Sequence, residues 1–282
     1  MLDLLVGPFA EFGFMRRALA GCVALSVSAP PIGLFLTLRR MSLMGDAISH
    51  AILPGAAAGF LVSGLSLPAM TLGGLAAGLT VALLAGLVSR TTLLKEDASL
   101  AAFYLVSLAG GVLLVSLRGS NVDLLHILFG SVLALDDAAL FLLGSISTVS
   151  LAWLAVMYRA LVLDSVDPLF LRLVSRTSSV THLSFLAVVV LNLVGGFQAL
   201  GTLLAVGLML LPAITARFWA RSINGLLPIS VGVALFSSYA GLLVSYYGGL
   251  PSGPTIILAA GTLYIISLLV GPKGGLLWRK RG

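Results

Sequence analysis

The sequence predicts an all-α integral membrane protein, one transmembrane domain over residues 1–282 built as a bundle of eight or nine membrane-crossing helices. Hydrophobic residues fill 59% of the 282 positions and charged residues only 9%. Soluble domains carry about 25% charged residues, so there is too little polar surface here to coat a water-facing globule. Apolar runs of about 20 residues recur along the chain, each enough to cross a hydrocarbon core of about 30 Å. The alternating pattern of barrel strands is absent, which leaves helices as the means of satisfying the backbone in lipid.

Taken in order, residues 4–15 read as an interfacial helix. Spans follow near 19–38, 47–64, 69–89, 99–117, 138–158, 183–199, 200–216, 227–247 and 254–271. The pair between His182 and Arg217 is the ambiguous one, because only the turn Gly195-Gly196-Phe197-Gln198-Ala199-Leu200-Gly201 divides it. A single helix of that length would reach roughly 50 Å at 1.5 Å per residue, too long for one crossing. Two short helices joined at the glycines fit better.

Charge distribution favours the same division. Nine crossings put Arg39, Arg40, Arg90, Lys95, Arg159, Arg172, Arg176, Arg217, Arg221, Lys273, Arg279, Lys280 and Arg281 on one side. Only Arg16, Arg17 and Arg118 fall on the other. Merging the ambiguous pair would move the last six across and leave seven against nine. The positive-inside rule therefore expects nine spans, a cytoplasmic C-terminus and an outer N-terminus, with Arg16 and Arg17 as exceptions. Eight spans is the alternative. The expected location is the cytoplasmic (inner) cell membrane, multi-pass. Asp3, Glu11, Asp123, Asp136 and Asp137 then line the outer side, either as a mildly acidic mouth for a cation or as loop solvation.

Several classes are excluded. The net charge of +6 comes from basic residues scattered between spans, not from one patch, so no nucleic-acid partner is expected. Cys22 is the only cysteine, which rules out an intramolecular disulfide and a cysteine-based zinc site. A cleavable signal peptide is not evident. No phosphate-binding loop of the G-x-x-x-x-G-K-[ST] kind occurs, so any ATP hydrolysis must come from a partner. No enzymatic activity and no bound cofactor are expected of the chain itself.

The unusual stretch is Met41-Ser42-Leu43-Met44-Gly45-Asp46-Ala47-Ile48-Ser49-His50-Ala51-Ile52-Leu53-Pro54-Gly55. A carboxylate at mid-bilayer costs about 2.5–3.5 kcal/mol on insertion scales, so it faces a cavity or a partner. Asp46 and His50 are four apart and share a helix face, whereas Ser49 projects elsewhere. Together they can offer one carboxylate oxygen and one imidazole nitrogen to a metal such as zinc or manganese. Pro54 lacks the N–H that would bond the carbonyl of His50, which predicts a kink and a free acceptor. Gly55 and Gly59 form a small-xxx-small pair suited to a closely packed neighbour. Alternatively, Asp46 sits near the interface, pairs with Arg39 or Arg40, and caps a helix starting after Gly45.

Two further segments stand out. His126, with Asp123, falls in Asn121-Val122-Asp123-Leu124-Leu125-His126-Ile127-Leu128-Phe129-Gly130, either at an outer gate or as an interfacial packing histidine. His182 starts a span as an interfacial residue. In 164–176, Asp167 and Pro168 read as N-cap and first residue of a stub helix carrying Leu169, Phe170, Leu171 and Arg172. The stub is too short to span and apolar enough to dock a partner; the alternative is a plain loop.

With these residues in view, the chain resembles the zinc/manganese/iron ABC-transporter permeases. The resemblance runs from the Met41–Gly55 stretch through Leu94-Lys95-Glu96-Asp97-Ala98 and Val122–Gly130 to Leu210-Leu211-Pro212-Ala213-Ile214-Thr215-Ala216-Arg217, covering nearly the whole chain. It implies a fold similar to the vitamin B12-type importer permease and a homodimer with a second copy of itself. It also implies two cytoplasmic ATPase subunits below and an extracytoplasmic metal-binding protein above. Asp46 and His50 match the family's intramembrane metal site, and 164–176 matches its coupling helix. There the sequence departs: Leu171 replaces the usual small residue and Ser175 the usual glycine, which bears on the fine geometry of docking.

Two other function classes stand beside an ATP-driven metal permease. A secondary metal-ion transporter would need no ATPase, but intramembrane charge is scarce, and only Asp46 looks intramembrane. An intramembrane protease would show H-E-x-x-H or G-x-S-x-G, and neither is present. The N and O donors do not choose among zinc, manganese and iron.

Overall fold

Each apolar run of the sequence becomes a helix in the computed structural model, which describes residues 2–64, 66–93, 96–117, 132–166 and 177–279. In chain order these helices are α1 (Leu2–Glu11), α2 (Gly13–Leu38), α3 (Ser42–Ser63), α4 (Leu67–Thr91) and α5 (Glu96–Leu117). After a short 3-10 turn at Val132–Ala134 come α6 (Asp137–Val166), α7 (Thr177–Leu200), α8 (Thr202–Ala216), α9 (Ile223–Gly248), α10 (Ser252–Val270) and α11 (Leu276–Arg279). Seven of them, α2, α3, α4, α6, α7, α9 and α10, are long and apolar enough to cross a membrane. The remaining two apolar helices are shorter: the stretch Asp97–Gly111 of α5, and α8.

The ambiguous pair is resolved as two helices. Phe185, early in α7, lies under the guanidinium of Arg39 at the end of α2. At the far end of α7, Leu200 lies beside Gly21, near the start of α2. From there α8 runs back, and Ala213 and Ala216 pack with Leu34 and Leu226. The pair is therefore a hairpin, and among the described residues α2 to α10 are nine helices, seven of them long and apolar enough to cross a membrane. The break falls at Gly201 alone, whose φ of 94° lies in the left-handed half of the map that favours glycine. Gly195 and Gly196 stay helical. Their role is packing: a Cβ on Gly196 would come within 2.6 Å of the Ala205 Cβ on the returning helix.

α2 is the hub, packed against α6, α8 and α9, while α3 lies against α4 and α5. Small residues set the closest approaches. A Cβ on Gly33 would overlap the Met209 carbonyl of α8, and one on Gly241 would overlap Ile256 of α10. Gly55 and Gly59, the expected small pair, face Gly73 and Ala69 of α4 with no room for a side chain. Hydroxyls join the inner helices: Ser26 to Ser238 at 3.1 Å, Ser28 to Ser147 at 3.1 Å, and Asn192 Nδ2 donating to Ser150 Oγ at 2.6 Å. Such contacts substitute for the hydrophobic driving force that helices lack in lipid.

The two ends of the bundle differ in charge. One gathers Arg39 with Asp164, Phe35 with Tyr158, and Tyr158 with Asn224. To this end Trp219 Nε1 donates to Ser267 at 2.8 Å, and the Lys273 amide donates to the Phe218 carbonyl at 3.0 Å. Arg159, Arg217, Arg221 and Lys273 therefore lie with Arg39 and Arg40. At the opposite end α1 packs on α9 through Phe9 and Tyr239. The exceptional Arg17 has a structural role there. Its Nε donates to the Leu135 carbonyl at 3.1 Å, and its Nη1 lies 3.9 Å from Asp137 Oδ1.

Candidate metal site

The site begins with the turn that launches α3. After Leu38 the amides of Arg39, Arg40 and Met41 bond back to Phe35, Thr37 and Leu36 at 3.1, 3.2 and 2.9 Å. Arg40 takes φ 60°, the sole positive φ at a non-glycine among the described residues. Left-handed backbone costs an L-residue roughly 1–2 kcal/mol, so its surroundings must hold it. Arg39 supplies the anchor. Its Nη2 lies 2.5 Å from Asp164 Oδ2, and its guanidinium sits 4.3 Å above the Phe185 ring.

α3 starts at Ser42 with Met41 as N-cap and no side-chain capping bond. Asp46 is the fifth of its 22 residues and His50 the ninth, so both belong to the interior of the helix. The capping role therefore does not describe Asp46, and Arg39 turns instead to Asp164. Asp46 Oδ1 and His50 Nε2 are 3.7 Å apart. Ligands held about 2.1 Å from one ion at a tetrahedral angle stand about 3.4 Å apart, so a small rotamer adjustment suffices for both to reach it. Ser49 turns away and donates to the Asp46 carbonyl at 2.7 Å.

The pair faces out of the bundle: the side chains of Asp46 and His50 are 66% and 34% exposed. On the opposite face Met44, Ile48, Ala51 and Ile52 are buried. The imidazole stacks on Tyr104 of α5, ring centroids 6.2 Å apart and 30° from parallel. Pro54 stands inside α3 without ending it, and its ring lies against Gly111 of α5. Ser107 of α5 donates to the Ala51 carbonyl at 3.3 Å. α5 thus backs the site through Tyr104, Ser107 and Gly111.

Among the described residues, no group of three or more His, Cys, Asp or Glu side chains gathers at one place. The Asp46–His50 pair offers two side-chain donors, both suited to a divalent transition metal and too few to enclose one. Asp123, His126, Asp167, Pro168, Phe170, Leu171 and Arg172 lie outside the described residues. Sequence reasoning missed Tyr104, Ser107 and the Arg39–Asp164–Phe185 cluster. Asp164 carried the one available signal, a carboxylate in the last turn of an apolar helix where the dipole disfavours it.

The model of the ABC 3 transport family matches residues 11–271. Over 280 residues the chain is 30% identical to the manganese import system permease protein ScaB of Streptococcus gordonii, covering 99% of each. It is 31% identical over 271 residues to the manganese transport system membrane protein MntC of Listeria innocua, covering 96% of this chain and 95% of that one. Among solved structures, PsaBC from Streptococcus pneumoniae in complex with Fab superimposes with a TM-score of 0.86 at 30% identity, covering 99% of this chain and 100% of that chain.

Proposed function

We propose that this chain, which belongs to the ABC 3 transport family, is the membrane-spanning subunit of an ATP-driven manganese importer. Relatives named for manganese import align over almost its whole length. The oxygen and nitrogen donors at Asp46 and His50 suit manganese, and serve zinc and iron as well.

One observation carries the reading: a carboxylate and an imidazole share the outward face of an apolar helix. Left against lipid, such a carboxylate is costly. A second copy across a two-fold axis would cover the pair and bring a second Asp46 and His50, making four donors from two protomers. A site that must release its ion is transient, so flux reports on it better than equilibrium binding. Asp123 and His126 would stand at the outer gate, below an extracytoplasmic binding protein. At the basic end, cytoplasmic by the positive-inside rule, Asp167, Pro168, Phe170, Leu171 and Arg172 would dock two separate ATPase subunits.

The test is metal-resolved uptake by the complex in proteoliposomes. The native complex is expected to accumulate manganese only with ATP. Asp46→Asn and His50→Ala should each abolish uptake while insertion and ATPase assembly stay normal. Wild-type uptake by both variants would overturn the ligand assignment. Uptake without ATP, driven by an ion gradient, would instead support a secondary transporter.

A further inference from the structure

We infer that the buried Arg39–Asp164 ion pair is the positioning link that carries motion from the ATPase-docking segment to the helix holding the metal ligands. The inference rests on the reading of 164–176 as that segment. Asp164 lies in the last turn of α6, three residues before Asp167. Arg39 follows the last residue of α2, three residues before α3 begins. Their side chains are 7% and 11% exposed, with Arg39 Nη2 and Asp164 Oδ2 2.5 Å apart.

Stability alone does not account for such a pair. Taking both charges out of water offsets most of their attraction, and well-packed apolar residues often serve as well or better. A carboxylate at a helix C-terminus is further disfavoured by the dipole. Arg39 relieves this, because its cation lies where two helix C-termini, those of α2 and α6, meet. Its guanidinium also covers the Phe185 ring of α7, so three helices share one group.

The connection onward to the metal ligands is short. Arg40 is held left-handed, Met41 is buried, and the Met44 amide bonds the Met41 carbonyl at 3.1 Å. A shift of Asp164 therefore reaches α3 through a turn with little slack. Asp46 and His50 stand one and two turns beyond it.

The assay is metal moved per ATP hydrolysed by the reconstituted complex. Asp164→Asn and Arg39→Gln should leave co-purification and ATP hydrolysis intact and lower that ratio about tenfold, within the ordinary range of coupling between sites. A purely structural role would lower assembly, hydrolysis and uptake together and leave the ratio unchanged. An unchanged ratio overturns the link. Should the single variants fail to assemble, Arg39→Cys with Asp164→Cys in a Cys22→Ala chain can be joined by a short bis-maleimide. Higher metal per ATP after joining supports the link, and no change overturns it. Normal coupled uptake in a Phe170→Asp, Leu171→Asp chain removes the docking reading and this inference with it. Failure at positions 39 and 164 alone leaves the docking reading standing.

Discussion

Pro54 of α3 and Gly111 of α5 are in direct contact, so close that a Cβ at position 111 would stand 2.6 Å from the Pro54 Cβ. That contact keeps α5 against the half of α3 where the proline leaves the His50 carbonyl without its helical donor. Gly111→Leu should push α5 outward, carrying Tyr104 and Ser107 with it. Overpacking of this kind costs about 1–3 kcal/mol. Thermal unfolding in detergent should show a lower midpoint, and uptake should fall further than the stability loss alone explains. An unchanged midpoint and normal uptake would show that α5 does not brace the site.

Gly55 and Gly73 give a sharper test of packing. Each blocks a Cβ on the other through its carbonyl, so neither position has room to relax. Gly55→Val or Gly73→Val should separate α3 from α4 and strongly reduce the yield of folded chain. Gly144, beside which nothing lies within 4 Å of a built Cβ, provides the control. Gly144→Ala should leave yield and midpoint unchanged. Equal tolerance at all three positions would contradict the close α3–α4 contact.

The Tyr104 ring is expected to orient the His50 imidazole. Tyr104→Phe keeps the stacked ring and should leave the KM for metal uptake near the native value. Tyr104→Leu removes it and should raise the KM about two- to tenfold, as loss of an aromatic pair does. Equal effects from the two variants would point instead to the phenolic hydroxyl.

These cases mark what the sequence made legible. Span positions and the α7–α8 division were readable because apolar runs have the length that lipid demands and glycine breaks them. The Asp46–His50 pair was readable because i,i+4 spacing is a local property of a helix. The break at Gly201, not at Gly195 or Gly196, was not legible, because packing against Ala205 decides which glycines stay helical. Arg39–Asp164 and His50–Tyr104 join residues 125 and 54 positions apart in sequence, which no periodicity in one chain encodes. Arg17 looked like an exception to the charge rule because its partners, Leu135 and Asp137, lie on a distant segment.

Sidedness can be tested directly, because the fold fixes which loops share an end. Arg159, Arg221 and Lys273 lie at the Arg39 end, whereas Asp137 and Leu250 lie at the end where α1 meets α9. From the basic excess at the first end, the positive-inside rule predicts that this end faces the cytoplasm. Cys22 is buried, so Cys22→Ala provides a background without reactive thiols. Single cysteines at 221 and 273 should then be protected from a membrane-impermeant maleimide added outside, while those at 137 and 250 are labelled. The reverse pattern would invert the orientation and place the 164–176 segment on the wrong side for a cytoplasmic ATPase. A mixed pattern, with 221 and 273 on opposite sides, would contradict the α9–α10 hairpin. That outcome would require either α9 or α10 not to cross, although their 26 and 19 residues span about 39 and 28 Å at 1.5 Å per residue.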